Sequence, residues 1–191
     1  MIIVAITGAS GVSYAVRLLR VLKNMGLETG LLISEAAKTV IEYELYETID
    51  DIKNLSDVYY ESKDLTVPIA SGSFKFDSLI IIPCSMKTLS SIANGYGNNA
   101  ITRVADVTLK ERRKLILVPR ETPLRTVHIK NMLKISEEGG VILPAMPGFY
   151  NTPESIDEML DFIVGKILNI LKIKNTQLKQ WDNKTTKMKN N

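Results

Sequence analysis

The sequence predicts an α/β fold: a single Rossmann-like (flavodoxin-like) domain, with a doubly wound, mostly parallel sheet and helices on both faces. Three observations predict it. Short apolar runs such as Ile2 to Thr7 and Phe76 to Pro83 (FDSLIIIP) carry no polar alternation, as strands covered on both faces require. The first two strands are each followed by a segment of helical period, so the chain opens β-α-β-α, the pattern of a parallel sheet. Several of these strands end in Gly- or Pro-marked turns carrying polar or cationic side chains, and open α/β sheets bind ligands at that edge.

The elements follow in order. After Gly8-Ala9-Ser10-Gly11 the period changes: Ser13, Arg17, Arg20 and Asn24 recur so as to leave one broad apolar face. This is an amphipathic helix from Val12 to Met25, stopped by Gly26. Leu27 to Ser34 reads as a strand and Glu35 to about Tyr46 as a helix. Residues 47 to 75 are polar and irregular, with a short strand near Val58 to Glu61 and loop otherwise. Beyond the Phe76–Pro83 strand come helices at Ser85 to Ala93 and Ala100 to Arg112, a strand at Leu115 to Val118, a helix at Leu124 to Glu137 and a strand at Val141 to Leu143. The last helix takes Thr152 as cap and Pro153 at its first position, with Ile156, Met159, Leu160, Ile163, Val164, Ile167 and Leu171 on one face. Residues 1–174 form the expected domain and 175–191 a polar basic tail.

Composition removes several classes of function. A chain of 191 residues corresponds to about one domain. One Cys (Cys84) and one His (His128) leave no disulfide framework, Cys-rich zinc site or His-pair metal site. The net charge is +3, but six Lys against Asp182 lie between Lys172 and Asn191, so the body is slightly acidic. A nucleic-acid binder carries its excess charge on the folded body. No leader or membrane span is expected, and the chain reads as cytoplasmic.

The motifs converge on a phosphate-bearing ligand. Gly8-Ala9-Ser10-Gly11, between a strand and a helix, presents backbone N–H groups and a helix N-terminus to an anion, without the spacing of a dinucleotide fingerprint. Ser85, Lys87 and Thr88 follow a buried strand, and Cys84 before them reads as a small buried hydrophobe. Arg120 lies just beyond another strand and suits a phosphate or carboxylate fork, with Glu121 as its partner or as an acid. Lys110-Glu111-Arg112-Arg113-Lys114 reads as a solvated helix end. Pro144 to Tyr150 is a stiff loop bearing two aromatics, which either stack on a ligand or plug the core. His128, in an amphipathic stretch, reads as structural.

Several ordered blocks add a resemblance. These are Gly8-Ala9-Ser10-Gly11 with Tyr14, Cys84-Ser85-Met86-Lys87-Thr88-Leu89, Arg103-Val104-Ala105-Asp106-Val107 with Leu109 to Arg113, Val118-Pro119-Arg120-Glu121-Thr122-Pro123-Leu124 and Pro147-Gly148-Phe149-Tyr150. Together they resemble the UbiX-type flavin prenyltransferases, and Leu178-Lys179-Gln180-Trp181 is similar to that family's tail. The resemblance implies a metal-independent enzyme that joins a dimethylallyl group, from dimethylallyl monophosphate, to N5 and C6 of reduced FMN. The prenylated FMN then serves a UbiD-type decarboxylase. A dodecamer with flavin at subunit contacts is implied too.

By position, the resemblance assigns Gly8, Ala9, Ser10, Ser34, Ser85, Met86, Lys87, Thr88 and Arg120 to FMN. It assigns Arg103, Lys110, Glu121, Tyr150 and Lys166 to the dimethylallyl phosphate, some of them across a subunit boundary. Lys166 stands where many relatives carry Arg, keeping the charge without the bidentate fork. Glu44 falls at an acidic position of the second helix, and Ser10 near the reactive flavin edge. Ser10, Glu44 and Glu121 are the expected catalytic residues. Two alternatives are a flavin-dependent cysteine decarboxylase of the same fold, which would need an early His, and a non-catalytic FMN carrier.

Overall fold

The computed structural model describes residues 1–150 and 152–177. The match at 178–181, Trp181 and the tail lysines from Lys179 onward lie outside the described residues. The chain divides into two compact units, Met1–Ala145 and Met146–Asn191.

The first unit holds a six-stranded sheet: β1 (Ile2–Ile6), β2 (Thr29–Ile33), β3 (Val58–Glu61), β4 (Ser78–Cys84), β5 (Lys114–Pro119) and β6 (Val141–Ile142). Their order is β3-β2-β1-β4-β5-β6 and every pairing is parallel. All of β1, β2 and β4 is buried, as their unbroken apolar runs require. Each Val, Leu or Ile so covered contributes roughly 1.5–3 kcal/mol.

The connections are α1 (Val12–Asn24), α2 (Glu35–Glu44), α3 (Ile49–Lys53), α4 (Met86–Ala93), α5 (Ala100–Lys110) and α6 (Thr126–Glu137). One sheet face, with Ile3, Ala5, Leu79, Ile81, Leu115 and Leu117, packs in a single core with Leu89 and Ile92 of α4 and Val104 and Val107 of α5. The helix α1 packs along β1, β2 and β4 with Ala15, Leu18, Leu19 and Leu22 fully buried. Among the described residues no helix is long and apolar enough to cross a membrane.

Three expectations need correction. The stretch 47–75 contains α3, whose start is a capping box: Thr48 Oγ1 accepts from Asp51 N, and the Asp51 carboxylate accepts from Thr48 N at 2.8 Å. Five residues are too few for an apolar period to show. In the second unit, α7 (Ile156–Ile170) is capped by Ser155, not Thr152, and Pro153 lies outside it. Ser155 Oγ accepts from Glu158 N at 3.3 Å while the Glu158 carboxylate accepts from Glu154 N. Ser155 thus takes the cap in place of the Thr-Pro start. Ile156 is 74% exposed and does not belong to the buried stripe of Leu160, Ile163, Val164 and Ile167.

Candidate active site

The strand order fixes where a ligand can enter. Successive crossovers run outward from β1 to β2 and β3, then from β4 to β5 and β6, so the loops after β1 and β4 part at the carboxyl edge. A cavity of about 510 Å³ opens there, within the range of small-molecule sites. Of the residues singled out from the sequence, Gly8, Ser34, Ser85, Met86, Lys87, Thr88 and Glu121 line it. Glu35, Ala36, Ser62, Lys63, Asn98, Asn99 and Ile101 complete its wall and were missed. Ser62 and Lys63 follow β3 directly, and Asn99 caps α5, so strand-end and cap rules were the signals that pointed to them.

Two hydroxyls of this wall are helix caps. Ser34 Oγ accepts from Ala37 N at 3.2 Å at the start of α2, and Ser85 Oγ accepts from Thr88 N at 3.3 Å at the start of α4. Ser85 Oγ also donates to Thr88 Oγ1 at 3.1 Å. Both caps therefore hold hydroxyl oxygens beside helix N-termini, where the dipole favours anions. Gly8 is needed for space: a Cβ there would stand 2.5 Å from Ala36 Cβ. Lys63 at the rim pairs with Glu35 at 3.2 Å. Lys38 first, then Lys63, holds the Glu35 carboxyl below its ordinary range.

The Gly8–Gly11 turn does not offer its helix end to a phosphate. Glu44, at the end of α2, accepts from Gly11 N at 2.8 Å and Val12 N at 3.2 Å, and Ala9 N donates to Thr7 O at 2.8 Å. An acid of the same chain thus occupies the anion position of α1, which corrects the reading of this turn as a free phosphate cradle. It also places the Glu44 carboxylate against the turn that carries Ser10. Arg120, beyond β5, donates from Nε to Ser10 O at 3.3 Å, so the ends of β5 and β1 are tied together.

Arg103 and Lys110 lie elsewhere, one helical face apart by two turns on α5. Arg103 pairs with Asp106 at 2.7 Å and Lys110 with Glu111 at 2.7 Å. Lys110 and Asp106 line a second cavity of about 380 Å³, with Tyr96, Arg112 and Glu138. Arg113 is not solvated as the sequence suggested: Nη2 donates to Gly72 O at 2.8 Å and the guanidinium lies 4.3 Å from the Phe76 ring centroid. In the second unit, Tyr150 meets Phe162 edge-on at 5.9 Å and Lys166 Nζ lies 5.5 Å from the same ring. Phe162 thus lies between two of the residues that the resemblance assigns to the dimethylallyl phosphate. Phe149 is 67% exposed, so it plugs no core.

Cys84 is fully buried, and burial pushes its thiol up to about 12, which leaves it protonated and inert. His128 Nδ1 accepts from Arg125 N at 3.2 Å, a cap for α6.

A parallel sheet in Rossmann order, with a polar cavity at its switch point and no dinucleotide fingerprint, defines a mononucleotide-type α/β protein. Comparison with known proteins makes this specific. The sequence profile of the family described as Flavoprotein matches residues 1–168. A flavin prenyltransferase UbiX of Methanothermobacter thermautotrophicus is 54% identical over 184 residues, covering 96% of both chains. Among solved structures, AnUbiX (PadA1) in complex with FMN and dimethylallyl pyrophosphate superposes with a TM-score of 0.93 at 40% identity, covering 95% of this chain and 97% of that one. A dodecameric FMN-dependent UbiX-like decarboxylase of Escherichia coli O157:H7 gives 0.93 at 43%, covering 95% and 99%. The chain belongs to the Flavoprotein family and, within it, to the UbiX-type flavin prenyltransferases.

Proposed function

We propose that this chain is a flavin prenyltransferase: it transfers a dimethylallyl group from a dimethylallyl phosphate to reduced FMN, forming bonds at N5 and C6. The observation that carries the reading is the cavity at the β1/β4 switch point, where the family's flavin positions Gly8, Ser34 and Ser85 to Thr88 form one wall. The residues present fit FMN. Capping hydroxyls at two helix N-termini and Lys87 suit a phosphate, and the cavity volume of about 510 Å³ suits a mononucleotide. FMN, when bound and reduced, supplies the nucleophilic nitrogen and carbon.

The chain's own residues do the rest. The family's donor positions, Arg103, Lys110, Tyr150 and Lys166, some of them contributed across a subunit boundary, stabilise the phosphate as the donor C–O bond breaks and negative charge develops on it. Aromatic faces shelter the cationic allyl fragment. Closing the second bond consumes the allyl double bond. One of its carbons takes a proton, supplied by the phosphate released in the first step, while the other bonds to C6, whose ring proton Glu44, held against the Ser10 turn, accepts. Arg120 fixes that turn through Ser10 O, and Glu121 stands at the cavity wall as a further acid. The functional domain spans 1–174, supported by the profile match to 1–168.

Val127, Ile129 and Leu133 of α6 are 44%, 55% and 57% exposed. Large apolar side chains in that setting favour self-association, and assembly as a dodecamer, as in the Escherichia coli relative, would cover them. The product passes to a UbiD-type decarboxylase.

The test is anaerobic incubation of the full chain with reduced FMN and dimethylallyl monophosphate, with the diphosphate in parallel, followed by mass spectrometry. The flavin gains one prenyl unit in the monophosphate arm. Bound but unchanged flavin in both arms would favour a carrier. Decarboxylation of a peptidyl or pantothenoyl cysteine would favour the cysteine decarboxylases.

A further inference from the structure

The β1/β4 ladder stops early. Its last paired residues are Ala5 and Ile81, and Pro83 two positions on has no N–H to donate. Beyond that point the two strand ends are held together by Thr7. Its backbone N–H donates to Pro83 O at 3.3 Å and its hydroxyl donates to the same oxygen at 2.7 Å. The hydroxyl oxygen in turn accepts from Ser85 N at 2.8 Å, and the Thr7 carbonyl accepts from Ala9 N at 2.8 Å. Thr7 is 1% exposed.

Each polar group of Thr7, main chain and side chain, is therefore spent on the two loops that frame the cavity. Ser85 N belongs to the residue whose Oγ caps α4, so the position of Thr7 Oγ1 sets where that hydroxyl and the first turn of α4 stand. Ala9 N belongs to the turn after Gly8.

We propose that Thr7 is a positioning residue for the flavin site: its hydroxyl sets the spacing between the Gly8–Gly11 turn and the Ser85–Thr88 turn. This rests on the flavin reading above and adds to it a residue that touches no ligand. Valine at this position keeps the volume but removes the acceptor of the part-buried Ser85 N–H and the hydroxyl donor to the buried Pro83 carbonyl, so the two loops lose the link between them. Serine keeps the bridge.

The test compares Thr7→Val, Thr7→Ser and Thr7→Cys with the parent in the full chain, by two readouts. The first is the FMN dissociation constant with the visible spectrum of the bound flavin. The second is amide hydrogen exchange of the two turns in the flavin-free protein. Thr7→Val weakens FMN by about tenfold or more and alters the bound spectrum, with faster exchange in both turns; Thr7→Ser restores all three. A merely structural role would lower the melting temperature and leave the dissociation constant and spectrum unchanged, and that result overturns the proposal. If Thr7→Val does not fold, Thr7→Cys, with its weak donor and acceptor, must give an intermediate loss, and parent-like binding refutes the idea. A parent that binds no FMN would defeat the flavin reading instead. Hydrogen exchange then decides alone: unchanged exchange at both turns in the variants refutes the linkage.

Discussion

The cavity at the ends of β1 and β4 and the cationic stretch of α5 are both polar, yet they are built on different terms. The cavity wall is made of helix caps and strand-end backbone, with Ser34 and Ser85 fixed by bonds from N–H groups beside them and Thr88 by the Ser85 hydroxyl. The α5 cations are half-exposed and each is matched to an acid next to it, Arg103 to Asp106 and Lys110 to Glu111. The first surface is preorganised by the fold, so a ligand meets hydroxyls already in place. To take the phosphate proposed for it, the second would exchange a carboxylate for that phosphate. Such exposed pairs are worth only about 0.2–1 kcal/mol, so a doubly charged phosphate can displace the acid. With the roles proposed above, flavin binding follows from the topology, and donor binding from a charge exchange.

The largest expected effect separates binding from chemistry within the first region. In Glu44→Gln the amide oxygen still accepts from Gly11 and Val12, so the α1 end keeps its cap while the proton acceptor is lost. Turnover falls by about 100-fold or more with FMN affinity near the parent value; unchanged turnover in single-turnover assays would remove Glu44 as the base. Next comes Gly8→Ala, whose Cβ would meet Ala36 Cβ at 2.5 Å. It costs about 1–3 kcal/mol of stability and weakens FMN as well, measured by thermal melting and flavin titration. A parent-like variant would mean that the turn and α2 have room to part.

Lys110→Ala probes the second region. It lowers kcat/KM for the dimethylallyl phosphate by about tenfold and leaves FMN binding alone. Loss of flavin binding instead would merge the two regions and break the comparison.

The smallest effect concerns acid. Lys38 and Lys63 depress the Glu35 carboxyl, and Lys110 depresses that of Glu111, both from an ordinary value of 4.5. A carboxyl with a depressed folded value contributes stability that is full above its ordinary range and lost as pH falls through the depressed one. Both groups are exposed, so melting temperatures of Glu35→Gln and the parent differ slightly at pH 6 and converge towards pH 3. A gap that widens on acidification would contradict the assignment.

The sheet was legible in the sequence because β1, β2 and β4 are unbroken apolar runs, and Val58–Glu61 stood out as the one β-rich patch in a polar stretch. The helix α3 was not, since five residues carry no period and only Thr48 and Asp51 mark it. The start of α7 was misplaced because Thr152 and Ser155 both suit a cap, and the bond from Glu158 N goes to Ser155 Oγ. For the site, strand-end rules located Ser85, Lys87, Thr88 and Glu121. They could not reveal that Glu44, 33 residues after Gly11, closes the α1 end, nor that the acids beside Arg103 and Lys110 already hold them. Contacts of that kind depend on how separate elements pack, which no local pattern encodes.

The central claim is that FMN sits at the β1/β4 switch point. A crystal structure of the full chain grown with FMN tests it most directly. Flavin density is expected between Gly8, Ser34, Ser85 and Thr88, with the phosphate beside the caps of α2 or α4 and Glu44 still bonded to Gly11 and Val12. Flavin in the cavity of Lys110 and Tyr96, or a phosphate displacing Glu44 from the end of α1, would contradict it.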